Sequence, residues 1–237
     1  SLGLLYSAFT YFTGFKVNSG EYKLMGLAPY GRPTYVNVIR EKLLDLRADG
    51  SFRLNLDYFG YLDGLTMTNN RFAELFGGPA RKAESDLTQR EMDIAASIQV
   101  VTEDIVLNMA LHARALTGEK YLCLAGGVAL NCVANGRLLR ENIFEDIWIQ
   151  PAAGDAGGAL GCALVAWHQV KGNPRTADGR RDQMNGAYLG PDFSDDEIGE
   201  FLQAKGYPAS KPAAADWAPA IAQLIAAENV IGLCQGR

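Results

Sequence analysis

Between residues 88 and 116, apolar side chains recur at three- and four-residue steps: Met92, Ala95, Ile98, Val101 or Thr102, Ile105 and Met109, with His112 closing the stripe. That period predicts one long amphipathic helix, stopped by Thr117-Gly118. The same spacing over residues 2–15 predicts a buried helix whose aromatic residues, Tyr6, Phe9, Tyr11, Phe12 and Phe15, belong to a core. From Glu21 a short apolar helix runs into Ala28-Pro29-Tyr30-Gly31, where proline ends regular structure. Within it, Glu21 and Lys23 sit too close for a helical ion pair. Each reads as a solvated charge, with a phosphate-facing Lys23 as the sharper alternative. Residues 34–48 read as an amphipathic helix. After the Asp49-Gly50 turn, residues 52–56 alternate strictly, the pattern of a half-buried strand. Residues 57–86, with mixed charges, Asn-Asn and Gly-Gly-Pro, read as an irregular insertion with short helices that forms a surface lobe.

Beyond residue 118 the pattern changes. Two short apolar runs, residues 121–125 and 147–149, read as buried strands, and each ends in a glycine-bearing turn that leads to a helix-length segment. The helix-length crossover predicts parallel neighbours in one sheet that also includes residues 52–56. The first turn is Gly126-Gly127, followed by Val128 and Asn131. The second is Pro151-Ala152-Ala153-Gly154-Asp155, followed by Gly157-Gly158. A strand that enters glycines and then a helix gathers backbone N–H groups and a positive dipole end, which suits phosphate. The plainer alternative, that the glycines only permit tight corners, stands beside it. Residues 156–170 form a small-residue helix, and residues 171–186 are polar and read as a linker. A different unit then opens, with helices at 195–205 and 216–228 and a strand at 230–234, placing a boundary near residue 180.

Composition narrows the function classes. Among 237 residues, 48% are hydrophobic and the net charge is −5 without a Lys/Arg run, which argues against nucleic acid as the main partner. No stretch reads as a membrane span and the start lacks signal-peptide order, so a cytoplasmic protein is expected. The cysteines, Cys123, Cys132, Cys162 and Cys234, have no CxxC spacing and read as small buried side chains. His112 reads as a boundary histidine, and His168 has no acidic partner near it in sequence. Both ends break off within patterned segments, so the chain is expected to be a piece of a longer protein.

Three motifs together carry a resemblance: EYKLMGLAPYG at residues 21–31, LAGGVALNCVANGRL at 124–138 and QPAAGDAGGALGCAL at 150–164. They resemble the nodulation-type O-carbamoyltransferases that also tailor antibiotics, and the tail from Gly186 resembles the start of that family's C-terminal domain. The resemblance implies an α/β fold. Residues 1–180 would be the second half of an actin/sugar-kinase/heat-shock-ATPase-like transfer domain, similar to the tRNA threonylcarbamoyl-transfer enzymes. Residues 181–237 would be the truncated start of a carbamoyl-adenylate-forming domain. It implies carbamoyl phosphate and ATP as donors, with transfer to a hydroxyl of a sugar or natural-product acceptor. It further implies a nucleotide loop at Gly126, Gly127, Val128 and Asn131, a second at Gly154, Gly157 and Gly158, and Asp155 as ligand of a divalent ion, iron or magnesium. Lys23 is the candidate for the phosphate or carbamoyl end. An HxxxH pair before Ser1 and an FGPRALG-like stretch after Arg237 complete the family pattern; neither is in this chain, which is expected to be inactive alone. Two other readings remain: a sugar or acetate kinase of the same superfold, and a nucleotide-sensing module without chemistry.

Overall fold

A computed structural model describes every residue except 177, 180, 181, 183, 214 and 235–237. The chain divides into two compact units, Ser1–Pro174 and Arg175–Arg237.

In the first unit, the aromatic spacing of the opening stretch becomes helix α1, Leu2–Phe12, which buries Leu5, Tyr6, Phe9 and Phe12. Helix α2, Glu21–Leu27, tightens into a single turn at Ala28–Tyr30, where Pro29 removes a donor. Glu21 is not a solvated charge. Its carboxylate accepts from Ser7 Oγ and the Asn18 N–H, both at 2.9 Å, and from the Gly20 N–H at 3.2 Å. Three otherwise loose donors are thereby fixed at the α1–α2 corner.

The helix expected over residues 34–48 is shorter than its pattern. Helix α3, Val36–Val38, passes into a widened turn at Ile39–Leu43, and strand β1, Leu44–Leu46, begins at once. Adjacent Leu43 and Leu44 satisfy both periods. Alternating Leu44 and Leu46 face Leu54 and Phe52 of strand β2, Phe52–Leu54, in an antiparallel hairpin. Asp49 closes its turn by accepting from the Ser51 N–H and hydroxyl. This hairpin is its own two-stranded sheet, so residues 52–56 do not join the later strands as expected. A nearby partner costs less loop entropy than a distant one.

Residues 57–86 form the expected irregular insertion with short helices, but they also send side chains into the core. Helix α4, Asn70–Leu75, is capped by Asn69 and drives Phe72 into the core, with Phe76 one turn on. Phe72 meets Phe9 and Phe12 with ring centroids 5.1 and 4.9 Å apart, and Phe76 meets Phe9 at 5.4 Å. Such tilted pairs add about 0.5–1.5 kcal/mol each beyond burial. The segment is also tied down by Arg81, whose N–H donates to Phe12 O and whose guanidinium donates to Thr13 O.

The predicted long helix is α5, Gln89–Thr117. It starts at a capping box in which the Glu91 carboxylate accepts from the Thr88 N–H and hydroxyl, and it stops at Gly118. Ile94, Ile98, Val101 and Ile105 are buried on the face that packs against α1 and α2. By length and composition alone α5 could cross a bilayer, but charged residues at both ends and at Glu103-Asp104 interrupt it, and its apolar face forms the core of the unit.

Strand β3, Tyr121–Leu124, pairs in parallel with strand β4, Asp146–Ile149, as expected, and helix α6, Cys132–Arg140, crosses between them. Leu122, Leu124 and Ile147 pack with Ala110, Leu138 and Phe144. Tyr121, Cys123 and Trp148 fall on the opposite face and are exposed. The cysteines are therefore not buried: all four are exposed, because strand alternation sends Cys123 away from Leu122 and Leu124. Helix α7, Ala156–Val165, continues through a wide turn at Ala166–Val170, and none of these residues is buried.

In the second unit, helix α8, Asp195–Lys205, carries a Ser194–Glu197 capping box and ends at Gly206. Helix α9, Trp217–Ala226, follows. The strand expected at residues 230–234 does not form: among the described residues this stretch has no ladder partner, and Val230 is fully exposed. The Gln235-Gly236 turn expected after it lies outside the described residues.

Candidate functional site

Strand β3 delivers the chain to Gly126 at φ 94 and ψ 161, a backbone region that side-chain-bearing residues essentially never occupy. That conformation aims the Gly126 N–H at Ala153 O, 2.7 Å away, in the turn that follows β4. The two glycine turns therefore meet at the carboxyl edge of the parallel pair. Gly127–Leu130 then coils into a tight turn, with the Ala129 N–H donating to Gly126 O. The N–H groups of Gly127 and Val128 find no backbone partner among the described residues, and a Cβ at Gly127 would face open space. This corner offers free donors with no side chain above them, the arrangement that oxygen anions use.

The second turn contributes differently from the sequence expectation. Gly157 and Gly158 were expected as donors, yet their N–H groups already close turns on Gly154 O and Asp155 O, at 3.1 and 3.0 Å. A Cβ at Gly157 would lie 2.1 Å from Ala152 O, so glycine there is required by the turn itself. Gly154 and Gly158 border open space. Asp155 is exposed at the start of α7 and makes no side-chain cap. Among the described residues no group of three or more His, Cys, Asp or Glu could hold a metal ion. One carboxylate is too few donors for a resident divalent cation, so this chain alone does not fit a metal centre.

Asn131 lies beneath the turn. Its Oδ1 accepts from the Ala134 N–H at 3.0 Å, capping α6, and it exchanges a reciprocal amide pair with Gln99 of α5. Gln99 in turn accepts from the Tyr6 hydroxyl and donates to Glu103, which sits 3.5 Å from Arg137 of α6. Burial, then Glu21, Glu103 and Cys132, push the Tyr6 phenol above its usual range, so it stays a donor. The Asp104 carboxylate, by its hydrogen bond, holds the Arg137 guanidinium firmly charged. Sequence reading missed this cluster. Its one signal was a glutamine on the apolar stripe, four residues after Ala95 and three before Thr102.

The first motif joins the others through α2, whose Met25 Sδ lies 3.9 Å from Cys132 Sγ at the start of α6. Val128 packs beside Gly3 at the start of α1. Lys23 is exposed on α2 with no ion-pair partner among the described residues. His112 is exposed, and His168 Nδ1 lies 3.0 Å from Asn173 O. A shallow groove of about 570 Å³ lined by Arg40, Asp45, Arg47 and Asn108 lies at the β1 hairpin and shares no residue with the glycine turns.

Structure and site together describe an α/β protein in which two separated motifs meet at the carboxyl edge of a parallel strand pair and a third touches the start of α6. Residues 1–164 match the family described as carbamoyltransferase N-terminus, and the chain belongs to that family. An uncharacterized protein of Synechocystis is 61% identical over the whole chain, which spans 39% of that protein. Nodulation protein NolNO of Sinorhizobium fredii is 40% identical and NolO of Bradyrhizobium diazoefficiens 37% identical, again over the whole chain. The chain spans 32% and 40% of their lengths.

Proposed function

We propose that this chain is part of an ATP-dependent O-carbamoyltransferase and supplies the second half of its transfer domain. Family membership supports carbamoyl transfer, and the corner at Gly126 to Val128 is the observation that carries the nucleotide part of the reading. In this reading residues 1–180 belong to an actin-like transfer domain and residues 181–237 begin a carbamoyl-adenylate-forming domain. Gly127 and Val128 present N–H donors to phosphate oxygens, and the bare backbone lets the ligand approach. A phosphate beside Asp155 would meet its negative charge, which a divalent cation would offset; Asp155 is the residue of this chain that would help to hold it. Lys23, exposed and without an ion-pair partner, is the candidate counter-charge to the donor phosphate or carbamoyl oxygen. The acceptor hydroxyl attacks the carbamoyl carbon of carbamoyl-adenylate; the new C–O bond forms as the C–O bond to AMP breaks, and the hydroxyl proton leaves to solvent.

Product analysis of the full-length protein tests this against the two competitors. With ATP, carbamoyl phosphate and a hydroxyl acceptor, carbamoyl transfer yields AMP, pyrophosphate and inorganic phosphate in step with the carbamate ester. A kinase yields ADP and a phosphorylated acceptor, and a sensor module yields no turnover. Either of those results would overturn the proposal.

A further inference from the structure

Gln99 has no place in the reading so far, and its position on α5 is costly. It is buried on the stripe that carries Ala95, Ile98 and Thr102, where an aliphatic side chain would pack without any polar group to satisfy. Every polar capacity it has toward the interior is used. Its Oε1 accepts from the Tyr6 hydroxyl and from Asn131 Nδ2, both at 3.1 Å. Its Nε2 donates to Asn131 Oδ1 at 3.2 Å and to Glu103 Oε1 at 2.9 Å. The directions are fixed by chemistry. Asn131 Oδ1 takes the Ala134 N–H, so its Nδ2 must face Gln99 Oε1, and the Gln99 amide must point its nitrogen at the Glu103 carboxylate. A fully satisfied buried network of this kind specifies one geometry.

We propose that Gln99 is a positioning residue for the Gly127–Leu130 turn: by clamping Asn131 to α5 it sets the direction in which the free Gly127 and Val128 N–H groups point. Tyr6 supports the clamp by holding the Gln99 amide in the one orientation that pairs with Asn131. This rests on the nucleotide reading above and adds to it a remote determinant of nucleotide affinity. A purely structural role for Asn131, as the cap of α6, predicts something else. Aspartate caps a helix as well as asparagine does, so Asn131→Asp would be silent under that view. Under the clamp it removes the donor to Gln99 Oε1 and sets a carboxylate against it.

The test uses the full-length protein with Gln99→Met, Asn131→Asp and Tyr6→Phe. It combines KM for ATP, kcat and amide hydrogen exchange across residues 126–131 and, as control, 146–149. The first two variants are expected to raise KM for ATP about tenfold, as loss of one or two buried hydrogen bonds would, with kcat within about twofold. Exchange should quicken at 126–131 and stay unchanged at 146–149; Tyr6→Phe should show a smaller effect of the same kind. Should Gln99→Met fail to fold, Asn131→Asp decides. Unchanged KM and unchanged exchange at 126–131 in Asn131→Asp overturn the clamp. If the wild type does not use ATP, the nucleotide reading fails, and the exchange rates alone still support or overturn the positioning of the turn.

Discussion

Gly126→Ala isolates the strain that builds the candidate site. At φ 94 and ψ 161 the backbone occupies a region open essentially to glycine alone, and a Cβ added there would meet no atom within 4 Å. No neighbour contributes to the cost, which is entirely that of the backbone, about 1–3 kcal/mol. Relaxing φ to a negative value would avoid the strain but turn the N–H away from Ala153 O, losing a hydrogen bond worth about 1 kcal/mol. Both routes weaken the link between the two turns by a similar amount. Gly127 is the control, since it has no positive φ and its Cβ would also face open space. Gly127→Ala should leave stability within about 0.5 kcal/mol, the range of ordinary surface substitutions, while crowding an approaching ligand. Hydrogen exchange followed by mass spectrometry reads the local effect. Residues 121–131 should exchange about 5–150-fold faster in Gly126→Ala, the ratio equivalent to 1–3 kcal/mol. Equal protection in Gly126→Ala and wild type, or equal loss in both variants, would refute the reasoning.

Phe72→Ala removes a fully buried ring in edge contact with Phe9 and Phe12 and should cost about 3–5 kcal/mol in urea denaturation. A loss under about 1 kcal/mol would return residues 57–86 to the status of a dispensable surface segment. Burial alone would raise the Glu91 carboxyl, but hydrogen bonds from Thr88 and Arg90 outweigh it and hold the group below its usual range. Its contribution to stability is therefore complete above the unfolded value of about 4.3 and is lost as pH falls through the lower folded value. The stability gap between wild type and Glu91→Gln should narrow on acidification from pH about 7 to about 3; a constant gap would contradict that assignment.

Much of the fold was readable because local and tertiary signals agreed. Thr88, Glu91 and Gly118 bracket α5 in sequence as they do in space, and the glycine-bounded runs became β3 and β4 in parallel. β1 was hidden because Leu43 and Leu44 fit a helical and an alternating period equally, and only the partner strand decides. The short helices within residues 57–86 were readable, but the burial of Phe72 and Phe76 was not, because so few apolar positions stand among Asn, Gly and Pro. The glycine turns of the candidate site were visible as composition, but the partners that fix them were not. Asn131 meets Gln99 32 residues away, and Glu21 accepts from Ser7 14 residues earlier. Such polar pairings depend on how helices pack, which no local pattern encodes. The distinction among Gly126, Gly127 and Gly157 is likewise one of φ and of neighbouring atoms, invisible in three identical letters.

Asp155→Ala in the full-length protein bears most directly on the proposed transfer chemistry. Asp155 is exposed and makes no side-chain cap to α7, so its removal should leave the unfolding midpoint unchanged. The account predicts that ATP- and carbamoyl phosphate-dependent formation of the carbamate ester falls to background. Carbamoylation at the wild-type rate, with a stability loss of about 1 kcal/mol as from a lost helix cap, would contradict it.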